Sequence, residues 1–290
     1  MRVRLDPGLS AALDHLRWLA AFLVLLGHVR LHTIGAYGSD VLGAEQPLVR
    51  AFFLVTGLGH QAVIGFFVLS GVLVAGKFVG RPPPSLREYG DYLLDRLTRI
   101  WIVAIPALLL SAVVAQLSLR TLGGFHNALS DRCQPGLADL ALNLAFLHKA
   151  FWPTLCSNSP YWSIHNEVWY YLLFPAILVI LGAASLRARG LSVLLVGLSF
   201  GALLLFDPRD EPNTLTHFPI WAAGALVAVG WRCRLPVPVA IALVLAALLV
   251  ARAATEWHFL IKDYLVVLGL LLLLLAIKDA PPPAWLLAPG

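Results

Sequence analysis

Arg17 and His28 stand eleven positions apart in a run that is otherwise almost wholly apolar. On a helix that interval is about three turns, so the two side chains share a face about 16 Å apart. An ionisable residue inside a membrane is costly unless paired, which makes a functional role the first hypothesis. Here the arginine would hold an anion while the deeper histidine handles a proton. The competing reading is an arginine that snorkels at one interface and a histidine that anchors at the other.

Two further groups follow. Phe66-Phe67-Val68-Leu69-Ser70-Gly71 is succeeded by Arg96-Leu97-Thr98-Arg99, which is expected to open a helix. Three residues apart, Arg96 and Arg99 share a helix face. A guanidinium pair at the inner membrane surface suits a polyanion such as a nucleotide phosphate; taken by itself, the pair is better explained by ordinary positive-inside charge. The last group is Tyr161-Trp162-Ser163-Ile164-His165-Asn166-Glu167-Val168-Trp169-Tyr170-Tyr171-Leu172-Leu173-Phe174-Pro175. Glu167 is expected at a helix start, where the dipole favours its anion. The aromatics fit an interfacial belt. A carboxylate leading into a long apolar span, however, needs a cationic or hydrogen-bonding partner. No serine occupies a nucleophile-elbow context and no reactive-cysteine arrangement occurs.

The elements that must position these residues are dictated by composition. Hydrophobic residues make up 59% of the 290 and charged residues 13%, and mean hydropathy is +0.81. A soluble domain carries about a quarter charged residues, so this chain cannot build a soluble surface. Inside lipid only helices and closed barrels satisfy the backbone, and the two-residue alternation of barrel strands is missing. The fold class is therefore all-α: a polytopic transmembrane helical bundle with about 8–9 membrane segments. Candidate spans run 13–31, 61–79, 99–118, 166–185, 190–206, 217–231, 236–251 and 261–277.

The segment 138–150 is too short to cross comfortably and is expected to dip into the membrane or lie on it. Basic residues then place the N-terminus inside, through Arg2 and Arg4, and the loop after the second helix inside, through Lys77, Arg81, Arg87, Arg96 and Arg99. The net charge of +5 is spread between the apolar runs, unlike the clustered arm of a nucleic-acid binder. The three cysteines are too few and scattered for a zinc site. On this topology Cys133 and Cys156 both lie outside, where a disulfide persists; two unpaired small residues are the alternative. Cys233 lies inside, reduced.

The Arg–ten residues–His spacing, the Phe-Phe-x-Leu-Ser-Gly block, the Arg-x-x-Arg pair and the Trp-Ser-x-x-x-Glu-x-x-x-Tyr-Leu-x-x-Pro block resemble, in the same order, acyltransferase family three, the membrane-bound O-acyltransferases. The resemblance covers roughly residues 13–280. It implies transfer of an acyl group, usually acetyl, from cytoplasmic acyl-coenzyme A to a hydroxyl of a carbohydrate, glycolipid or related acceptor, with no metal. It implies His28 as general base and Glu167 as the group that orients it or steadies its imidazolium. Arg17 is then assigned to the thioester region or a phosphate, and Arg96 and Arg99 to the nucleotide phosphates. Ser70 and Trp162 are candidate walls of an acyl tunnel, with helix packing the alternative for Ser70.

The resemblance further implies a bacterial cytoplasmic (inner) membrane location and a single domain over residues 1–290, without the further membrane segment that relatives commonly carry. Two other readings remain at this point. One is a proton-coupled transporter, disfavoured by the lack of an internal repeat; the other is a non-catalytic assembly subunit.

Overall fold

Prolines, glycines and charges cut the apolar sequence into rods, and each candidate span becomes a helix. A computed structural model describes residues 7–37, 43, 45–122, 136–152, 154–155, 158–182, 185–207, 213–229, 231 and 233–279. The helices are α1 (Pro7–Thr33), α2 (Pro47–Thr56), α3 (Gly59–Phe78), α4 (Leu86–Leu122), α5 (Leu137–Leu144), α6 (Trp162–Gly182), α7 (Leu186–Phe206), α8 (Thr214–Val229), α9 (Val237–Ala253) and α10 (Phe259–Asp279). The described residues contain no strand, only an isolated bridge between His148 and Trp152. Among the described residues six runs are long and apolar enough to cross a membrane: Gly8–Leu31, Pro47–Phe78, Leu86–Leu117, Trp162–Gly182, Leu186–Phe206 and Phe259–Lys278. α8 and α9 are apolar but shorter. The protein is an all-α polytopic membrane protein, as its composition requires. α5, at eight residues, extends only about 12 Å, well short of the ~30 Å hydrocarbon core.

Two starts differ from the sequence expectation. α4 opens at Leu86, ten residues before Arg96. A reciprocal capping box starts it: the Ser85 amide and hydroxyl both donate to Glu88 Oε2 (2.8 and 2.7 Å), and the Glu88 amide donates back to Ser85 Oγ (3.3 Å). α6 opens at Trp162, so Glu167 is the sixth helical residue rather than a helix-start anion. The macrodipole fades within the first turn, and a side-chain partner is needed instead.

The helices sort into two compact units. One comprises residues 1–80 and 219–290; the other comprises residues 81–218. In the first, α3 is the central rod, packed by α1 and α10, with α9 lying on α10. Ile64, Phe67, Val68, Val72 and Ala75 of α3 are buried. α8 crosses α3 backbone to backbone. A Cβ at Gly71 would stand 1.9 Å from the Trp221 carbonyl oxygen, and one at Gly224 would stand 2.2 Å from that of Val68. No rotamer relieves a clash with a main chain, so only glycine fits at either position. Small residues permit this closeness between membrane helices, and the glycine of the Phe-Phe-x-Leu-Ser-Gly block is such a contact.

In the second unit α4 runs antiparallel to α6. Pro83 meets Gly182 at one end, the Tyr89 hydroxyl donates to the Leu172 carbonyl, and Asn158 Nδ2 reaches Ser111 Oγ (3.4 Å) beyond the other end of α6. A core of Ala104, Leu108, Phe146, Leu155 and Tyr161 fixes α4 to the segment between α5 and α6.

Candidate functional site

In the second unit, the α4–α6 pairing places Arg96 level with the middle of α6, not at its end. The Arg96 guanidinium carbon lies 5.8 Å from the centroid of the Tyr92 ring and 5.7 Å from that of Tyr171. The two rings meet edge to face at 6.4 Å. The Tyr171 hydroxyl donates to Glu167 Oε1 at 2.5 Å. Arg96, Tyr92, Tyr171 and Glu167 thus form one polar and aromatic cluster between the charge-rich first part of α4 and the apolar α6. The ring faces hold a weakly hydrated guanidinium, a group whose planar fork suits oxyanions. Glu167 obtains the hydrogen-bonding partner its position demands.

Arg99 is separated from this cluster. It is mostly exposed and ion-pairs with Asp95 one turn away on α4 (3.1 Å). Arg96 and Arg99 therefore occupy different environments despite their spacing. Trp162, partly buried, stands 6.5 Å from the His217 ring.

Between α5 and α6 the second unit holds a polar clasp that the sequence motifs do not include. The backbone turns through left-handed conformations at Phe146 (φ 56°) and Lys149 (φ 68°), which disfavour side chains with a Cβ. Burial of Phe146 and the bonds of Lys149 offset that strain. Lys149 Nζ lies 2.9 Å from Asp207 Oδ1 and 3.3 Å from Asn166 Oδ1, with the lysine 3% and the aspartate 0% exposed. Thr214 donates its hydroxyl to Asn166 Oδ1 (2.8 Å) and its amide to Asp207 Oδ2 (2.6 Å), so the same carboxylate caps α8. The ends of α7 and α8 are thereby tied to the residue preceding Glu167. Nearby, burial holds the His148 imidazole neutral and pushes its pKa down to about 4. The Trp152 indole and the Gly136 amide, donating to Asp139, hold that carboxyl below its usual range.

The first unit carries Arg17, His28 and Ser70. Arg17 is half exposed, 3.9 Å from Asp14 one turn earlier. His28 is partly buried on α1 and follows a glycine at a helix crossing. A Cβ on Gly27 would meet the Thr56 carbonyl oxygen at 2.9 Å and Gly59 Cα at 3.6 Å. Ser70 is partly buried beside the Gly71 crossing. The unit also contains an ion pair missed by motif reading: His60 Nε2 lies 2.9 and 3.0 Å from the two carboxylate oxygens of Asp263. Cys133 and Cys156 lie outside the described residues. Among the described residues no cluster of three His, Cys, Asp or Glu forms a metal-ligand set.

Among known proteins, Acyltransferase MdmB of Streptomyces mycarofaciens is 28% identical over 166 residues, a stretch covering 57% of this chain and 38% of that relative. The chain thus matches well under two thirds of the relative's length. No solved structure matches the chain. The acyltransferase domain pattern, in contrast, runs across residues 10–287. The motifs that surround Arg17, His28, Arg96 and Glu167 therefore sit within this match, and the chain belongs to acyltransferase family three.

Proposed function

We propose that the protein transfers an acyl group, acetyl in the first instance, from acyl-coenzyme A to a hydroxyl of a carbohydrate-type acceptor such as a surface glycan or glycolipid. The observation that carries this reading is Arg96, an arginine set on two tyrosine rings, one of which also holds Glu167, where α4 packs on the apolar α6. Such a residue is costly unless it serves a ligand or a charge. The name of the Streptomyces relative agrees with acyl transfer. The membrane is taken to be the bacterial inner membrane, with the N-terminus in the cytoplasm, where acyl-coenzyme A is made.

His28 is the general base that removes the acceptor's proton as its oxygen attacks the thioester carbonyl. Glu167 is the acidic residue assigned to the transfer chemistry, and its Oε1 accepts the Tyr171 hydroxyl. Arg17 and Arg96 bind the donor's thioester region and phosphates, with Arg99 as an outer contact. Changing Arg96 and Arg99 together to Gln should weaken coenzyme A binding by tenfold or more, the scale of about 1.5–3 kcal/mol lost with a charge-assisted hydrogen bond. Arg96→Gln should account for most of that loss, since Arg99 is exposed and already paired with Asp95. Calorimetric titration of coenzyme A into detergent-solubilised protein measures it. Unchanged affinity in a folded double variant returns both arginines to topology signals.

A further inference from the structure

The ion pair between α3 and α10 has a geometry suited to chemistry. Asp263 is 1% exposed, whereas His60 keeps 34% of its side chain accessible. Both carboxylate oxygens lie within hydrogen-bond distance of one ring nitrogen, Nε2. A buried carboxylate on one nitrogen fixes the tautomer and ring orientation of a histidine and leaves its other ring nitrogen to face a reactant. A carboxylate inside an apolar helix is costly, and a functional role is the default hypothesis for it.

The position of this pair connects it to His28. α1 and α3 approach closely where Gly27 faces Gly59: each glycine's would-be Cβ lies within 4.0 Å of the other's Cα. His28 and His60 are the residues immediately after those two glycines. The crossing brings the two histidine-bearing turns to the same level of the first unit, and Asp263 pins the second ring from α10.

We propose that His60, held by Asp263, is a second proton-carrying histidine of the transfer centre, acting as the acid for the departing sulfur. This assignment rests on the acyl-transfer reading. The acceptor's O–H bond breaks and its proton passes to His28. Its oxygen forms a bond to the acyl carbon, the carbon–sulfur bond breaks, and the sulfur takes a proton from the His60 imidazolium. Proton return from His28 to His60 restores the starting state. The net products are the ester and free coenzyme A thiol. Asp263 is a positioning residue that keeps the His60 ring oriented before the step.

The test uses the full chain in lipid nanodiscs, acetyl-coenzyme A as donor, and an extract of bacterial envelope glycans and glycolipids as the hydroxyl source. The readouts are thiol release and ester formation. His60→Gln and Asp263→Asn should each lower kcat at least tenfold while KM for acetyl-coenzyme A stays within twofold. Asp263→Glu should recover part of the loss, and added imidazole should restore turnover to His60→Ala in a saturable manner. A merely structural pair would instead lose turnover in proportion to folded protein, with no response to imidazole. That result, or a His60→Gln rate within twofold of the unaltered chain, overturns the assignment. Absence of any acyl transfer by the unaltered chain defeats the underlying reading itself, a distinguishable outcome.

Discussion

Gly71→Val is expected to leave almost no folded protein, measured as the monodisperse fraction on size-exclusion chromatography in detergent. The added Cβ would stand 1.9 Å from the Trp221 carbonyl oxygen and 3.3 Å from Gly224 Cα. Ordinary overpacking costs ~1–3 kcal/mol because side chains shift to make room. Here the obstacle is main chain on both helices, so α3 and α8 must move apart, and the cost lies at or beyond the upper end of that range. Gly224→Val should behave alike for the same reason. Gly76 is the control on the same helix: nothing lies within 4 Å of its would-be Cβ, so Gly76→Ala should be tolerated. A well-folded Gly71→Val protein would mean that α3 and α8 do not cross as described.

The second large effect concerns the clasp formed by Lys149 and Asp207. Removing one partner of a buried pair strands an uncompensated charge and typically costs about 3–5 kcal/mol. Lys149→Met and Asp207→Leu should each lower the melting temperature by about 10 °C, scaling from a domain of this size. Asp207→Leu should be the worse of the two, because Asp207 also accepts the Thr214 amide at the start of α8. Combining Lys149→Met with Asp207→Asn removes both charges while keeping an acceptor for that amide. The combination should recover much of the loss. Single variants that melt with the unaltered protein would show that the pair is hydrated rather than buried.

The rods were legible in the sequence because lipid imposes a simple rule: a long apolar run must be helical. Pro47–Thr56 escaped that rule, since ten residues are too few for a span; it continues through Gly57 and Leu58 into α3. The first turns of α4 were hidden by the charges at Arg87, Glu88, Asp91, Asp95 and Arg96. The Ser85-x-x-Glu88 pattern was a readable signal for that start. Without that start Arg96 falls at the opening of the helix instead of about three turns into it, which conceals its contact with Tyr92 and Tyr171.

The motif residues were readable from spacing, but their partners were not. Asp263 is 203 residues from His60, and Asp207 is 58 from Lys149; no local periodicity links such pairs. Glu167 is intermediate. Its partner Tyr171 lies one turn later in the same block, and an interval of four residues is the signal that could have identified it.

The central claim is acyl transfer with His28 as its base, and labelled acetyl-coenzyme A tests it most directly. In nanodiscs supplied with the envelope extract, the unaltered chain should move label into ester-linked, base-labile product. His28→Gln keeps polarity and approximate size but cannot accept the proton. It should retain coenzyme A binding and lose transfer by at least about a hundredfold. Transfer by His28→Gln at a rate near that of the unaltered chain would contradict the account.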